Sequence, residues 1–384
     1  MSGPLEGIRV LDLSRLLPAP FATMIMADMG ADVIKIEPPW GEIARLYPPH
    51  FGGVSSVFHY LDRNKKGVSL NLKDPKAKEI IYELVKQCDV VIENFKRGTM
   101  DKLGLGYDDL KKIRPDIIYA SLSGFGLDGP YRDRPSFAPI AGAYSGWYRL
   151  TGDNVDPEGP PIVPAAWHGD LDPGLWAVVG ILGAIRHRDK TGEGQLVDVS
   201  QLDCMLAQTG VQITGYTLSG KLPWENSLDR VMGPSTFGVF QATDGYVYVA
   251  ADPNMHQRLM MAMGVDDLGT GRTVLENWVR DKKVDEVVDA FVAVSVPVAP
   301  ILQIDEAIED PHVKARGTIV EVEHKTAGKV RMPGFPLKMS ATPGTIRLAA
   351  PLLGEHTAEV LKEMLGYTDE EIQGLRKAGV VVTP

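Results

Sequence analysis

The sequence predicts an α/β protein: a doubly wound domain on a parallel sheet, followed by a second domain over about 225–325. Two observations carry this. Strand-like and helix-like segments alternate through the first third of the chain, and the texture changes after Ser200 to a β-rich stretch. The length of 384 residues agrees, because single cores stop growing near ~250–300 residues.

The elements follow in order. An apolar run over 8–13 predicts a buried strand, 21–29 a helix stopped by Gly30, and 32–36 the next strand, ended by Glu37 and Pro38-Pro39. This is a βαβ unit and implies a parallel sheet. A short strand is predicted over 68–72. Segment 74–87 carries Ala77, Ile80, Ile81, Leu84 and Val85 at helical spacing, with Asp74 as cap and Pro75 in the first turn. Strands are predicted over 90–93 and 117–121. The loops at 17–20, 38–45, 94–98 and 124–130 all follow strands, where doubly wound sheets bind ligands. Further on, 201–216 reads as helical and 218–234 as irregular. Strands over 237–242 and 246–251 are joined by the hairpin signal Asp244-Gly245. A helix over 274–294 is expected to break at 297–300, and a helix pair over 357–365 and 369–378 closes the chain.

Composition narrows the function. Hydrophobic residues make up 44% and charged residues 23%, as in soluble globular proteins. The net charge of −10 argues against a nucleic-acid binder, which needs a basic face, but leaves room for a local basic pocket. The two cysteines, Cys88 and Cys204, sit in apolar surroundings and read as core thiols rather than a disulfide or metal pair. No apolar run reaches ~18 residues and no signal peptide is visible, so the expected location is the cytoplasm, away from membranes.

The most informative stretch is Trp167-His168-Gly169-Asp170-Leu171-Asp172-Pro173-Gly174, read as a Gly-Asp turn before an apolar helix over 175–185. A carboxylate there lies near the positive end of a helix dipole, a suitable place for an ionised nucleophile open to a bulky substrate. By itself, an Asp before a helix is more often its cap. His168 is a candidate to line the site, although such a residue more often packs. Asp252, at the end of a predicted strand, is a candidate second acid but reads better as a turn residue before Pro253. Arg63, Lys65, Lys66 and Lys73 form one cationic group, and Lys96, Arg97 and Lys102 another. They read either as phosphate ligands or as a solvated face. The first strand is followed by Leu16-Leu17-Pro18-Ala19-Pro20 rather than G-x-G-x-x-G, which disfavours a nicotinamide dehydrogenase. There is no nucleophile elbow, Walker loop or H-E-x-x-H, and the histidines have no metal spacing, so no metal is expected.

A series of short blocks runs from Leu5-Glu6-Gly7-Ile8 through Gly30-Ala31-Asp32-Val33, Asn64-Lys65-Lys66-Gly67, Glu93-Asn94-Phe95-Lys96-Arg97-Gly98 and Gly169-Asp170. Thr191-Gly192-Glu193-Gly194-Gln195 and Pro333-Gly334-Phe335-Pro336 follow, and Leu353-Gly354-Glu355-His356-Thr357 closes the series. Taken in order, these blocks resemble the class III coenzyme A transferase family, which includes formyl-CoA transferases and α-methylacyl-CoA racemases.

The resemblance implies a Rossmann-like large domain built from both chain ends (1–200 and 330–384), a small domain over 225–325, and two subunits interlocked like chain links. It implies a homodimer, with a heteromer with a homologue as the alternative. It also implies that Asp170 is the nucleophile and that coenzyme A thioesters are substrates, with no tightly bound cofactor. Acyl-CoA and carboxylic acids would be the partners. The implied CoA-binding positions are Arg15, Leu17, Pro18, Leu70, Leu72, Lys73, Asn94, Phe95, Lys96 and Lys102. Lys73 and Lys102 suit the phosphates; Leu72 and Phe95 suit the adenine. Phe137 stands where the racemases carry a catalytic histidine, which favours transfer over α-proton exchange. Val231-Met232-Gly233-Pro234-Ser235 stands in place of the formyl-CoA transferases' glycine-rich lid, which disfavours oxalate and formate as substrates.

Overall fold

A computed structural model describes residues 3–165, 167–226, 236–269 and 271–384. The chain divides into two compact units, Met1–Gly210 with Gly317–Pro384, and Val211–Arg316.

The first unit is built on a sheet whose strands alternate with helices. In chain order the strands are β1 (Arg9–Asp12), β2 (Asp32–Glu37), the small hairpin β3 (His50–Phe51) and β4 (Val54–Ser55), β5 (Lys65–Leu70), β6 (Val90–Glu93), β7 (Ile118–Ser123) and β8 (Leu196–Ser200). The helices are α1 (Pro18–Asp28), α2 (Ser56–Leu61), α3 (Pro75–Val85), α4 (Thr99–Leu103), α5 (Tyr107–Ile113), α6 (Ala138–Tyr144), α7 (Trp147–Asp153), α8 (His168–Thr191) and α9 (Gln201–Gln208). Among the described residues the sheet runs Val381–Val382, β5, β2, β1, β6, β7, β8. All neighbours are parallel except Val381–Val382, which pairs antiparallel with β5. The chain starts in the middle, winds to β5, returns beside β1 and winds outward to β8. The strand order therefore reverses between β1 and β6, where Val10 pairs with both Val33 and Val90.

Successive side chains of β1 point to opposite faces. Leu11 joins the layer formed with α3 and the C-terminal helices Thr357–Leu365 and Asp369–Lys377. Val10 joins the layer formed with α1 and α8. Asp12, on the α1 side, is fully buried and bonded to Lys65 Nζ at 3.2 Å and Thr23 Oγ1 at 2.6 Å. Asp74 caps α3 as expected, its carboxylate accepting from Lys76 N at 2.8 Å.

The second unit holds a three-stranded antiparallel sheet: β9 (Phe237–Gln241) and β10 (Tyr246–Ala250) form the expected hairpin, and β11 (Val298–Pro300) pairs with β10. Its own core gathers Phe240, Val247, Leu259, Leu275 and Phe291.

Several expectations are corrected. Residues 274–294 form two helices, Arg272–Arg280 and Val284–Ala293, separated at Asp281-Lys282. Within 297–300 the chain does not merely break a helix; residues 298–300 form edge strand β11, where a proline is tolerated. Residues 201–216 are α9 and a second helix, Gly210–Ser219. Pro18–Pro20 is not a loop but the first turn of α1, where proline lacks nothing because those N–H groups are free in any case. The hairpin of β12 (Ile319–His324) and β13 (Gly328–Pro333) was not expected at all. Residues 231–235 lie outside the described residues. No helix of the described residues is long and apolar enough to cross a membrane.

Candidate active site

The reversal between β1 and β6 opens a crevice beyond their carboxyl ends, and the loops leaving these strands meet there. Arg15 N donates to Asn94 Oδ1 at 2.9 Å, and Asn94 Nδ2 donates back to Arg15 O at 2.8 Å. The Arg15 guanidinium lies 5.1 Å from the Phe95 ring centre. Leu16 sits at φ +65°, a strained conformation for a branched side chain, with its N–H 3.1 Å from Glu42 Oε2. Buried Glu93 accepts from Phe95 N at 2.7 Å and from Ser121 Oγ. Burial pushes the Glu93 carboxyl up to about 7.

Asp170 comes to the same crevice from α8. The helix begins at His168 rather than near Leu175, so Asp170 lies in its first turn and not in a turn before it. Two glycines make this possible. A Cβ on Gly169 would lie 2.7 Å from the Ala138 carbonyl oxygen of α6, and one on Gly174 would lie 2.7 Å from the Pro18 carbonyl oxygen of α1. The start of α8 is thus wedged between two backbones that admit no larger residue.

Pro173, inside α8, lacks the N–H that would bond the Gly169 carbonyl. Gln201, the first residue of α9, supplies the missing donor. Its Nε2 lies 2.9 Å from Gly169 O and 2.9 Å from Asp170 Oδ1. Among the described residues this amide is the one side-chain partner of the Asp170 carboxyl, and no ion pair reaches it. The helix dipole favours the ionised form by about 0.3–1 kcal/mol. Burial works the other way and wins, pushing the carboxyl up to about 7 despite the Gln201 hydrogen bond.

Two cavities open on Asp170. One, of about 420 Å³, is lined by Arg15, Pro18, Asn94, Phe95 and Lys96, with Arg97, Arg132 and Arg134 contributing further cationic groups. The other, of about 470 Å³, is largely apolar and includes Leu17, Phe137, Trp147 and Trp167. Leu16, Tyr47, Phe137 and Asp170 border both.

Six of the expected CoA-binding residues therefore border the two cavities that share Asp170: Arg15, Pro18, Asn94, Phe95 and Lys96 on one, Leu17 on the other. The other four border neither. Leu70 is fully buried in the sheet core, and Leu72 packs half-buried against it. Lys73 and Lys102 are exposed, the latter on α4.

Within the first cationic group the expectation is overturned for Arg63 and Lys65. Arg63 and Lys65 neither bind phosphate nor face solvent; both are buried, Arg63 2.7 Å from Asp28 and Lys65 2.8 Å from Asp62. Lys66 pairs with Glu359 at 3.0 Å. His168 borders the apolar cavity and pairs with Asp172 at 3.6 Å. Asp252 is the turn residue expected, accepting from Asn254 N at 2.7 Å. Cys88 and Cys204 are free and buried, and burial pushes both thiols up to about 12.

Arg132, Arg134 and Gln201 were not anticipated. The pair Arg132-Asp133-Arg134, just beyond the turn-rich loop after β7, is a signal that points to the cationic cavity. Gln201 has no local signal, because its partners lie 31 and 32 residues away.

Comparison with known proteins defines the class first. The chain is 35% identical over 400 residues to the succinyl-CoA–L-malate CoA-transferase beta subunit of Chloroflexus aurantiacus, covering 98% of each chain. It is 34% identical to the human succinyl-CoA:glutarate CoA-transferase, covering 98% of this chain and 90% of that one. A CAIB/BAIF family protein from Brucella suis has the same fold, with a TM-score of 0.85 and 30% identity, over 95% of this chain and all of that one. The Chloroflexus aurantiacus and human relatives are named as CoA-transferases, which does not favour the racemase alternative. The profile of CoA-transferase family III matches residues 5–357, and the chain belongs to that family.

Proposed function

We propose that the protein moves coenzyme A from an acyl-CoA donor to a free carboxylic acid, with Asp170 as the nucleophile. The observation that carries this is a buried carboxyl without a cationic partner, standing where a cationic and an apolar cavity meet. CoA brings several phosphate charges, and Arg15, Lys96 and Arg97 border the cavity that suits them. In this reading Phe95, which borders that cavity, stacks on the adenine, and the exposed Lys73 and Lys102 are left to meet phosphates only outside it.

In this reading the Asp170 carboxylate attacks the donor thioester carbonyl. The carbon–sulfur bond breaks, CoA leaves as a thiolate, and a mixed anhydride remains. The thiolate attacks the aspartyl carbonyl and expels the donor acid, leaving an aspartyl-CoA thioester. The acceptor carboxylate attacks that carbonyl and releases the thiolate again. The thiolate then takes the acceptor acyl group and restores Asp170. Overall one CoA thioester is exchanged for another of similar energy, so no ATP is consumed. Backbone N–H groups of the glycine-rich loops at the crevice would receive the oxyanion.

The interlocked homodimer belongs to the same proposal, as does the role of the second unit. Support comes from α8, which leaves Leu175, Trp176 and Val179 about half exposed in the single chain. The test of function is chromatographic. Succinyl-CoA or acetyl-CoA is incubated with a panel of acids, and new acyl-CoA is followed for the native protein and for Asp170→Asn. Acid-dependent product from the native protein alone is expected. Deuterium entering the α-carbon of an acyl-CoA without any acceptor acid would instead show a racemase.

A further inference from the structure

The two cavities at Asp170 divide the substrate by chemistry. Arg15, Lys96, Arg97, Arg132 and Arg134 all border one of them. Among the described residues no lysine or arginine borders the other. Its ionisable groups besides Asp170 are the Tyr47 and Tyr148 phenols and His168, whose ring is already answered by Asp172 at 3.6 Å. The remaining wall is apolar and aromatic. Trp147 lies 5.5 Å from the His168 ring, and Gly142 lets the Tyr148 ring approach so closely that a Cβ would meet it at 2.7 Å. The volume of about 470 Å³ is that of a small-molecule pocket.

We infer that the acid exchanged here carries one carboxylate on an apolar body, an alkyl or aryl-alkyl monocarboxylic acid, rather than a dicarboxylic acid. This rests on the reading of Asp170 as the nucleophile. The reacting carboxylate must reach Asp170, so the rest of the acid extends into one of the two cavities. If CoA's phosphates take the cationic one, the acid's body takes the apolar one. A second carboxylate buried there would lose its water and gain no cation, whereas an alkyl or phenyl group gains from leaving water. The relatives whose names specify malate and glutarate act on dicarboxylates, so the inference separates this chain from them.

The test is an acceptor panel on the full-length protein with butyryl-CoA as donor, so that every acceptor gives a new acyl-CoA. Hexanoate and 3-phenylpropanoate are compared with succinate, glutarate and malate. The expected result is a kcat/KM at least 100-fold higher for the monocarboxylates. Val163 borders the same cavity and is 64% exposed, so Val163→Arg leaves the core untouched. That variant is expected to lower kcat/KM for hexanoate at least 10-fold and to raise it for succinate. Equal or better rates with dicarboxylates, or no change in preference in Val163→Arg, would overturn the inference. Trapping the Asp170 adduct in the same mixtures separates the two readings. Adduct with a dicarboxylate preference removes the substrate class alone. No adduct and no transfer with any acid removes the nucleophile, and the substrate class with it.

Discussion

Asp12 and Asp170 are both buried carboxyls in the same unit, and their neighbours give them opposite fates. Asp12 ends β1 fully buried, with Lys65 Nζ at 3.2 Å and Lys35 Nζ at 3.6 Å. Burial pushes its carboxyl up, but the two ammonium groups and the Ser14 and Thr23 hydroxyls more than reverse this and hold it well below the usual range. Asp170 has one neutral amide for company and is pushed up to about 7. A carboxylate saturated by cations has its charge spent on holding strands together. One left without a cation is more basic, keeps its electron pairs, and faces open space.

The largest expected effect breaks the comparison at its functional end. Asp170→Asn should lower transfer at least about 10⁴-fold while the protein stays folded, checked by kcat and circular dichroism. Asp12→Asn should act through the fold instead. It leaves Lys35 and Lys65 buried with too little negative charge and should cost about 3–5 kcal/mol in urea unfolding.

The pH dependence should separate the two carboxyls by sign. The ionised Asp170 attacks, so kcat/KM should rise with pH and level off above about 7, falling about tenfold per pH unit below it. Folded Asp170 holds its proton more tightly than the unfolded chain does. Its burial therefore costs stability increasingly as pH rises from about 4 to 7. Asp170→Asn should then be more stable than the native protein at pH 8, by up to roughly 4 kcal/mol, and the gain should vanish below pH 4. Asp12 has the opposite sign: its contribution is complete above the usual carboxylate range and is lost as pH falls below it. Thermal melts across pH 3–8 read both.

Smaller effects sharpen the geometry around Asp170. Gly169→Ala should push α6 off α8, costing about 1–3 kcal/mol, and should slow transfer about 100-fold through misplacement of the carboxyl. Gln201→Leu removes the donor shared by Gly169 O and Asp170. It should slow transfer about 10-fold and move the acidic limb of the pH profile upward, because the bond that lowers the Asp170 value is gone.

How much of this was legible follows the range of the interactions. The βαβ start, α3 with its Asp74 cap and the β9–β10 hairpin all announce themselves within a few residues. The first two turns of α8 do not. Gly169, Pro173 and Gly174 read locally as breakers, and only α1, α6 and Gln201 explain why a helix tolerates them. Arg63 looked like a surface or phosphate-binding cation because Asp28 is 35 residues away, and Lys65 did so because Asp62, three residues before it, does not by itself reveal burial beside Asp12, 53 residues away. Asp170 itself was named from its place before an apolar helix and from the family resemblance. Its apolar neighbour cavity was not, because the lining comes from Leu16 through Met205.

The most direct measurement of the central claim is mass spectrometry of the peptide carrying Asp170 after incubation with an acyl-CoA and trapping with hydroxylamine. A hydroxamate on Asp170 that depends on acyl-CoA, absent in Asp170→Asn, is the predicted result. Formation of a new acyl-CoA with Asp170 unmodified under the same trapping would contradict it.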